Sequence, residues 1–133
     1  MGGEKRKTIL AIDDSITQLK IFETFLSSRY ELTLIKSASE AFTLLNARNF
    51  DLILLDIEMP DVSGFEFLHE IRKIPKYMGK PVIIVTSHSE KEFLQYAENS
   101  SASGVLVKPV GSEKLNEIIE KAFAEPAANP FNL

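Results

Sequence analysis

Five short apolar runs, at residues 8–12, 30–35, 52–55, 82–85 and 104–107, alternate along this chain with stretches of helical periodicity. That alternation points to an α/β fold, a parallel sheet covered by helices on both faces, because parallel strands need long crossovers and helices supply them. The runs LILL and VIIV, at 52–55 and 82–85, are unbroken, as strands buried on both faces require. Glu31 and Thr33 interrupt the second run, which marks it as an edge strand. A chain of 133 residues fits one domain with a real core.

Helix-start chemistry falls between the runs. Ser15 with Gln18 and Ser89 with Glu92 both fit a capping box, so helices are predicted right after Asp14 and just after Thr86. Ile16, Leu19, Phe22, Phe25 and Leu26 then stand at helical spacing, as do Leu115, Ile118, Ile119 and Ala122 near the end. Pro60 and Gly64 bracket a loop, and Pro75, Gly79 and Pro81 mark a connection. The organisation expected is an extension at 1–7, a folded domain at 8–124, and a mobile tail or linker start at 125–133, where EPAANPFNL has two prolines and no period.

Composition excludes several classes. A net charge of −4 gives no general attraction to nucleic acid, and the lack of cysteine rules out disulfides and thiolate metal sites. Lys5, Arg6 and Lys7 precede apolar residues, but the run breaks at Asp13, too short for a signal peptide or a membrane span. A cytoplasmic protein is expected.

The chemistry lies where the runs end. LAI leads to Asp13 and Asp14, LILL to Asp56, VIIV to Thr86, and VLV to Lys108. In an open parallel sheet the carboxyl ends of the strands share one edge, where ligands bind, so these residues should converge. Three clustered carboxylates are tolerable only around a cation, and Mg²⁺ suits oxygen ligands of this kind. An aspartate beside it is a competent nucleophile toward phosphorus. Thr86 and Lys108 add a hydroxyl donor and a point charge for a transferring phosphoryl group. Each residue also has a plainer role available. Asp14 beside Ser15 fits a helix cap, Asp56 a turn, Thr86 a strand end, and Lys108 a cation that must find solvent or a partner. The conjunction of four complementary strand ends favours the shared site.

These motifs, AIDDS, LLDIEMPDVSG around Asp56, the Thr-Ser pair at Thr86 and the Lys-Pro pair at Lys108, resemble the receiver domain of two-component response regulators. The likeness runs over residues 8–123 and is nearest to the single-domain, chemotaxis-regulator type. It implies a flavodoxin-like, doubly wound five-stranded (βα)5 fold with strand order 2-1-3-4-5. It also implies that Asp56 takes a phosphoryl group from a phosphohistidine on a sensor histidine kinase or histidine phosphotransfer protein. Asp14 and Asp56 would coordinate Mg²⁺ through carboxylates, Asp13 largely through water, and Glu58 through its backbone carbonyl. Thr86 and Lys108 would hold the phosphoryl oxygens, and a cis peptide is expected between Lys108 and Pro109. The domain would catalyse its own phosphorylation and reset, and signal to a downstream protein partner through a phosphorylation-dependent surface, without binding nucleic acid directly or entering a membrane.

Finer expectations follow from the same resemblance. The side chains of Glu58 and His88 should reach the path of the water that hydrolyses the acyl phosphate, unless His88 is simply a solvated loop histidine. The first helix near Ile16 and Leu19 should dock the phosphodonor. Three residues before the lysine, where many receivers carry a switching Tyr or Phe, this chain has Val105, which has no ring to reorient. Phe93, Leu94 and Tyr96 could join an output surface, with at least one of them in the core. No output-domain signature follows residue 124, which fits a stand-alone receiver or one cut from a longer protein. Two alternatives stand beside this reading. One is a degenerate receiver-like binding module without phosphotransfer. The other is a haloacid-dehalogenase-like phosphatase, whose motif needs an Asp two residues after the nucleophile, whereas here the pair is adjacent.

Overall fold

The computed structural model describes residues 6–125. Strands β1 (Thr8–Ile12), β2 (Glu31–Ile35), β3 (Leu52–Asp56), β4 (Val82–Thr86) and β5 (Gly104–Val107) alternate with helices α1 (Ile16–Leu26), α2 (Ala38–Ala47), α3 (Gly64–Arg72), α4 (Lys91–Glu98) and α5 (Ser112–Ala124). A 3₁₀ turn at Pro75–Tyr77 precedes β4. The strands form one sheet in the order β2-β1-β3-β4-β5, and every pairing is parallel. The expected order and the edge position of β2 are both present.

Two apolar layers sandwich the sheet. Ile9, Ala11, Leu52, Leu54, Ile83 and Val85 meet Leu19, Phe22 and Leu26 of α1 and Leu115 and Ile119 of α5. The alternate residues Leu10, Ile12, Ile53, Leu55, Val82 and Ile84 meet α2, α3 and Ala97 of α4. The two-residue period of a strand thus divides each apolar run between two cores, which is why β3 and β4 are buried along their whole length. Tyr77, fully buried, satisfies its hydroxyl by donating to the carbonyls of Leu45 and Arg48.

Helix starts follow the sequence only in part. Ser15 caps α1, accepting from the Gln18 N–H at 3.2 Å. The reciprocal half of that box is missing, since the Gln18 amide nitrogen is buried without a partner and the Ser15 N–H donates instead to Asp13 Oδ1 at 2.9 Å. Ser89 does not cap α4. That helix begins at Lys91, with Glu90 in the cap position and no side-chain bond, because the loop before it is tied to Glu58 across the site. Leu19 is 5% exposed and belongs to the core, so of the expected docking pair only Ile16, at 55%, is open to a partner. Phe93 packs against the core while Tyr96 stays exposed. The expected tail lies outside the described residues beyond Glu125, as does the extension before Arg6.

One glycine is dictated by close approach. A Cβ added to Gly64 would lie 2.5 Å from the Ile57 Cα, and Gly64 N–H already donates to the Ile57 carbonyl at 3.2 Å. That backbone cannot yield without moving Glu58. Gly64→Ala is expected to cost about 2–3 kcal/mol through overpacking, read as a lower urea midpoint at unchanged slope. An unchanged midpoint would show that the segment yields freely.

Candidate functional site

The parallel register brings the strand ends level. Asp56 is the last residue of β3 and pairs with Val85, and Thr86 ends β4 opposite Val107. The ladder continues just past the strands: Asp13 N–H donates to Ile35, Ile57 N–H to Val85, and Lys108 N–H to Thr86 at 2.7 Å. Asp13, Asp56, Thr86 and Lys108 are therefore held by backbone bonds to a neighbouring strand, which fixes their positions. The Lys108–Pro109 peptide is cis, as expected.

Asp13, Asp14 and Asp56 converge so that one carboxylate oxygen from each lies within 4.8 Å of the others. Asp13 is fully buried and Asp56 is 2% exposed, while Asp14 stands exposed at the rim. Lys108 reaches over them, its ammonium 3.1 Å from Asp13 Oδ2 and 3.7 Å from Asp56 Oδ1. Asp13 Oδ2 has no hydrogen bond, so Lys108 acts on it as a charge without bonding geometry. Burial pushes the Asp56 carboxyl up to about 6, helped by the Asp13 charge, while the Glu58 N–H at 3.1 Å and Lys108 oppose the rise. Excess negative charge, hard oxygen donors and an unbonded buried oxygen are what a Mg²⁺ site offers, so the residues present fit that ion.

Thr86 is fully buried at the end of β4. Its hydroxyl accepts from the His88 N–H at 3.0 Å and lies 3.4 Å from Glu58 Oε1, too long for a strong bond. The Glu58 carboxylate instead takes the Ser87 hydroxyl, at 2.7 and 3.0 Å, and lies 3.0 Å from His88 Nε2. Asp13, Asp14, Asp56, Glu58, Thr86, His88 and Lys108 are thus all at this edge. Ser87 is an additional participant whose only signal was the Thr-Ser pair. Val105 lies on β5 opposite Ile84, half-buried against the core.

A doubly wound parallel sheet with an acidic pocket and a lysine at its carboxyl edge defines a flavodoxin-like domain. Residues 9–120 match the family described as response regulator receiver domain. This chain belongs to that family. It is 36% identical over 113 residues to the two-component response regulator ARR12 of Arabidopsis thaliana, covering 83% of this chain and 18% of the relative. It is 31% identical over 113 residues to the signal transduction histidine-protein kinase BarA of Escherichia coli, covering 84% and 12% respectively. Chemotaxis protein CheY4 of Vibrio cholerae superposes with a TM-score of 0.82 at 30% identity, over 88% of this chain and 98% of that one. The chain thus spans less than a fifth of these plant and kinase relatives and nearly all of a CheY-like structure. No helix among the described residues is long and apolar enough to cross a membrane.

Proposed function

We propose that this receiver accepts a phosphoryl group on Asp56 from a phosphohistidine of a sensor kinase or histidine phosphotransfer protein, and passes the change to a downstream protein. The observation that carries this reading is the convergence of Asp13, Asp14, Asp56 and Lys108 at the carboxyl edge of the sheet. An Asp56 oxygen attacks phosphorus in line, the P–O bond forms as the P–N bond breaks, and the leaving imidazole takes a proton. Lys108 neutralises charge on the transferring oxygens, and the Thr86 hydroxyl donates to one of them once it turns from Glu58. Asp14 and Asp56 would hold Mg²⁺ directly with the Glu58 carbonyl, and Asp13 through water. Bound there, the ion supplies charge neutralisation and alignment for the phosphoryl oxygens.

Intact mass after incubation with Mg²⁺ and acetyl phosphate tests the proposal. One phosphoryl mass is expected on the wild-type chain and none on Asp56→Asn. An adduct on both proteins would move the acceptor elsewhere. No adduct on either, with beryllofluoride also failing to bind, would favour a receiver-like binding module that has lost phosphotransfer.

A further inference from the structure

A run of contacts leaves the site toward α3 and α4. Glu58 is joined to Asp56 through its N–H and to the β4–α4 loop through Ser87 and His88. The His88 ring lies against Phe93 with centroids 4.9 Å apart, Phe93 against Phe65 at 5.7 Å, and Phe65 meets Tyr96 edge-on at 4.7 Å. Tyr96 is 62% exposed. Phe65 and Tyr96 stand in the wall of a groove of about 750 Å³ between α3 and α4.

The groove has a definite chemistry. Val62, Phe65 and Tyr96 give it apolar surface, Glu66 and Glu70 stand one turn apart on its α3 wall, and no lysine or arginine lines it. The nearby Arg72 is no counter-charge for a visitor, since its guanidinium donates to the carbonyls of Tyr77, Lys80 and Ser101. Glu70 pairs with Lys73 at the surface, and Glu66 has no ion-pair partner among the described residues. An exposed Tyr96 beside a half-buried Phe65, with an acidic rim, complements a peptide segment that carries an apolar anchor flanked by basic side chains.

We propose that the α3–α4 groove is the surface by which this receiver holds its downstream partner, through a basic amphipathic segment of that partner, and that the state of Asp56 is relayed to it through Glu58, His88, Phe93 and Phe65. The relay rests on the proposed phosphoryl acceptance at Asp56. A phosphoryl oxygen that takes the Thr86 hydroxyl competes with Glu58 for the loop, and the loop carries His88, whose ring touches Phe93. Val105 leaves no ring on β5 to do this work, and the ring that touches His88 of the β4–α4 loop, Phe93, continues through Phe65 to Tyr96 on α3 and α4.

The test uses a labelled 16-residue helical peptide with leucines along one face and arginines beside them, a twin with glutamate for arginine, and fluorescence anisotropy in Mg²⁺ with and without beryllofluoride, a phosphoryl mimic. The arginine peptide is expected to bind at least tenfold tighter than its twin, tighter still with beryllofluoride, and at least tenfold weaker to Tyr96→Ala. Glu66→Gln should weaken it severalfold. Phe93→Leu keeps apolar bulk but removes the bridging ring, and should retain binding in Mg²⁺ alone and uptake from acetyl phosphate while losing the beryllofluoride response. Equal binding of the two peptides, or indifference to Tyr96→Ala, overturns the groove and its occupant. A beryllofluoride response that survives Phe93→Leu overturns the relay. Absence of both the response and the acetyl phosphate adduct in the wild type defeats instead the reading on which the relay rests.

Discussion

Lys108→Ala is expected to lower stability by about 2–3 kcal/mol in metal-free buffer and to slow phosphoryl uptake on the order of 100-fold. Its ammonium is 3.1 Å from the fully buried Asp13 and 3.7 Å from the nearly buried Asp56. Removing one partner of a fully buried pair costs about 3–5 kcal/mol, because the other charge is left uncompensated. The lysine side chain is 20% exposed, so solvent screens part of its charge and the expected cost sits below that range. Urea unfolding in a chelator and then in Mg²⁺ separates the terms. With the ammonium gone, a bound cation becomes the main counter-charge for the three carboxylates, so Mg²⁺ should raise the variant's stability more than the wild type's. Equal stabilisation of both proteins, together with no loss in the chelator, would mean that Lys108 and the carboxylates scarcely interact. Lys108→Arg keeps the charge and should recover most of the stability but less of the uptake, since a planar fork does not place its charge where a compact ammonium does.

The parts of this molecule legible in its sequence are those set by short-range pattern. β3 and β4 announce themselves because both faces are buried, so every position must be apolar, and the first polar residue marks the edge of the sheet. That made Asp56 and Thr86 readable as candidate site residues before any distance was known. Strand order was not readable in this way. Five apolar runs allow many orders, and 2-1-3-4-5 came only with the resemblance to receivers. The start of α4 shows the limit from another side. Ser89 with Glu92 has the local signature of a cap, and Ser37 with Glu40 has the same signature and does cap α2, accepting at 3.2 Å. The two differ in a contact 29 residues away in the chain: Ser87 is bound by Glu58, which spends the loop on the site rather than on the helix. Leu19 and Ile16 were likewise inseparable as helical apolar residues until the sheet decided which one it covered.

Asp56→Asn is expected to be more stable than the wild type in metal-free buffer at pH 8, by about 2 kcal/mol, even though it removes the proposed acceptor. The Asp56 carboxyl sits at about 6 in the fold, above the ordinary carboxylate range, chiefly because burial disfavours its charged form and Asp13 adds a like charge. A raised folded value means that the fold binds the proton more tightly than the unfolded chain does. The stability associated with Asp56 is therefore fully present below about pH 4, is lost as pH rises through about 6, and stays lost above it. Asparagine carries no such charge, so the difference between the two proteins should be small near pH 4, grow between about 4 and 6, and level off by about 7. Magnesium should oppose it. With Asp56 among the ligands, the wild type gains binding energy that the variant gains less of, so the metal-free advantage of Asp56→Asn shrinks or changes sign as Mg²⁺ is added at pH 8. Paired urea titrations across that pH range, with chelator and with Mg²⁺, read both effects at once. A difference that stays flat with pH would place the Asp56 carboxylate in a solvated environment, contrary to its 2% exposure. A difference that varies with pH but ignores Mg²⁺ would remove Asp56 from the metal site while leaving its burial intact.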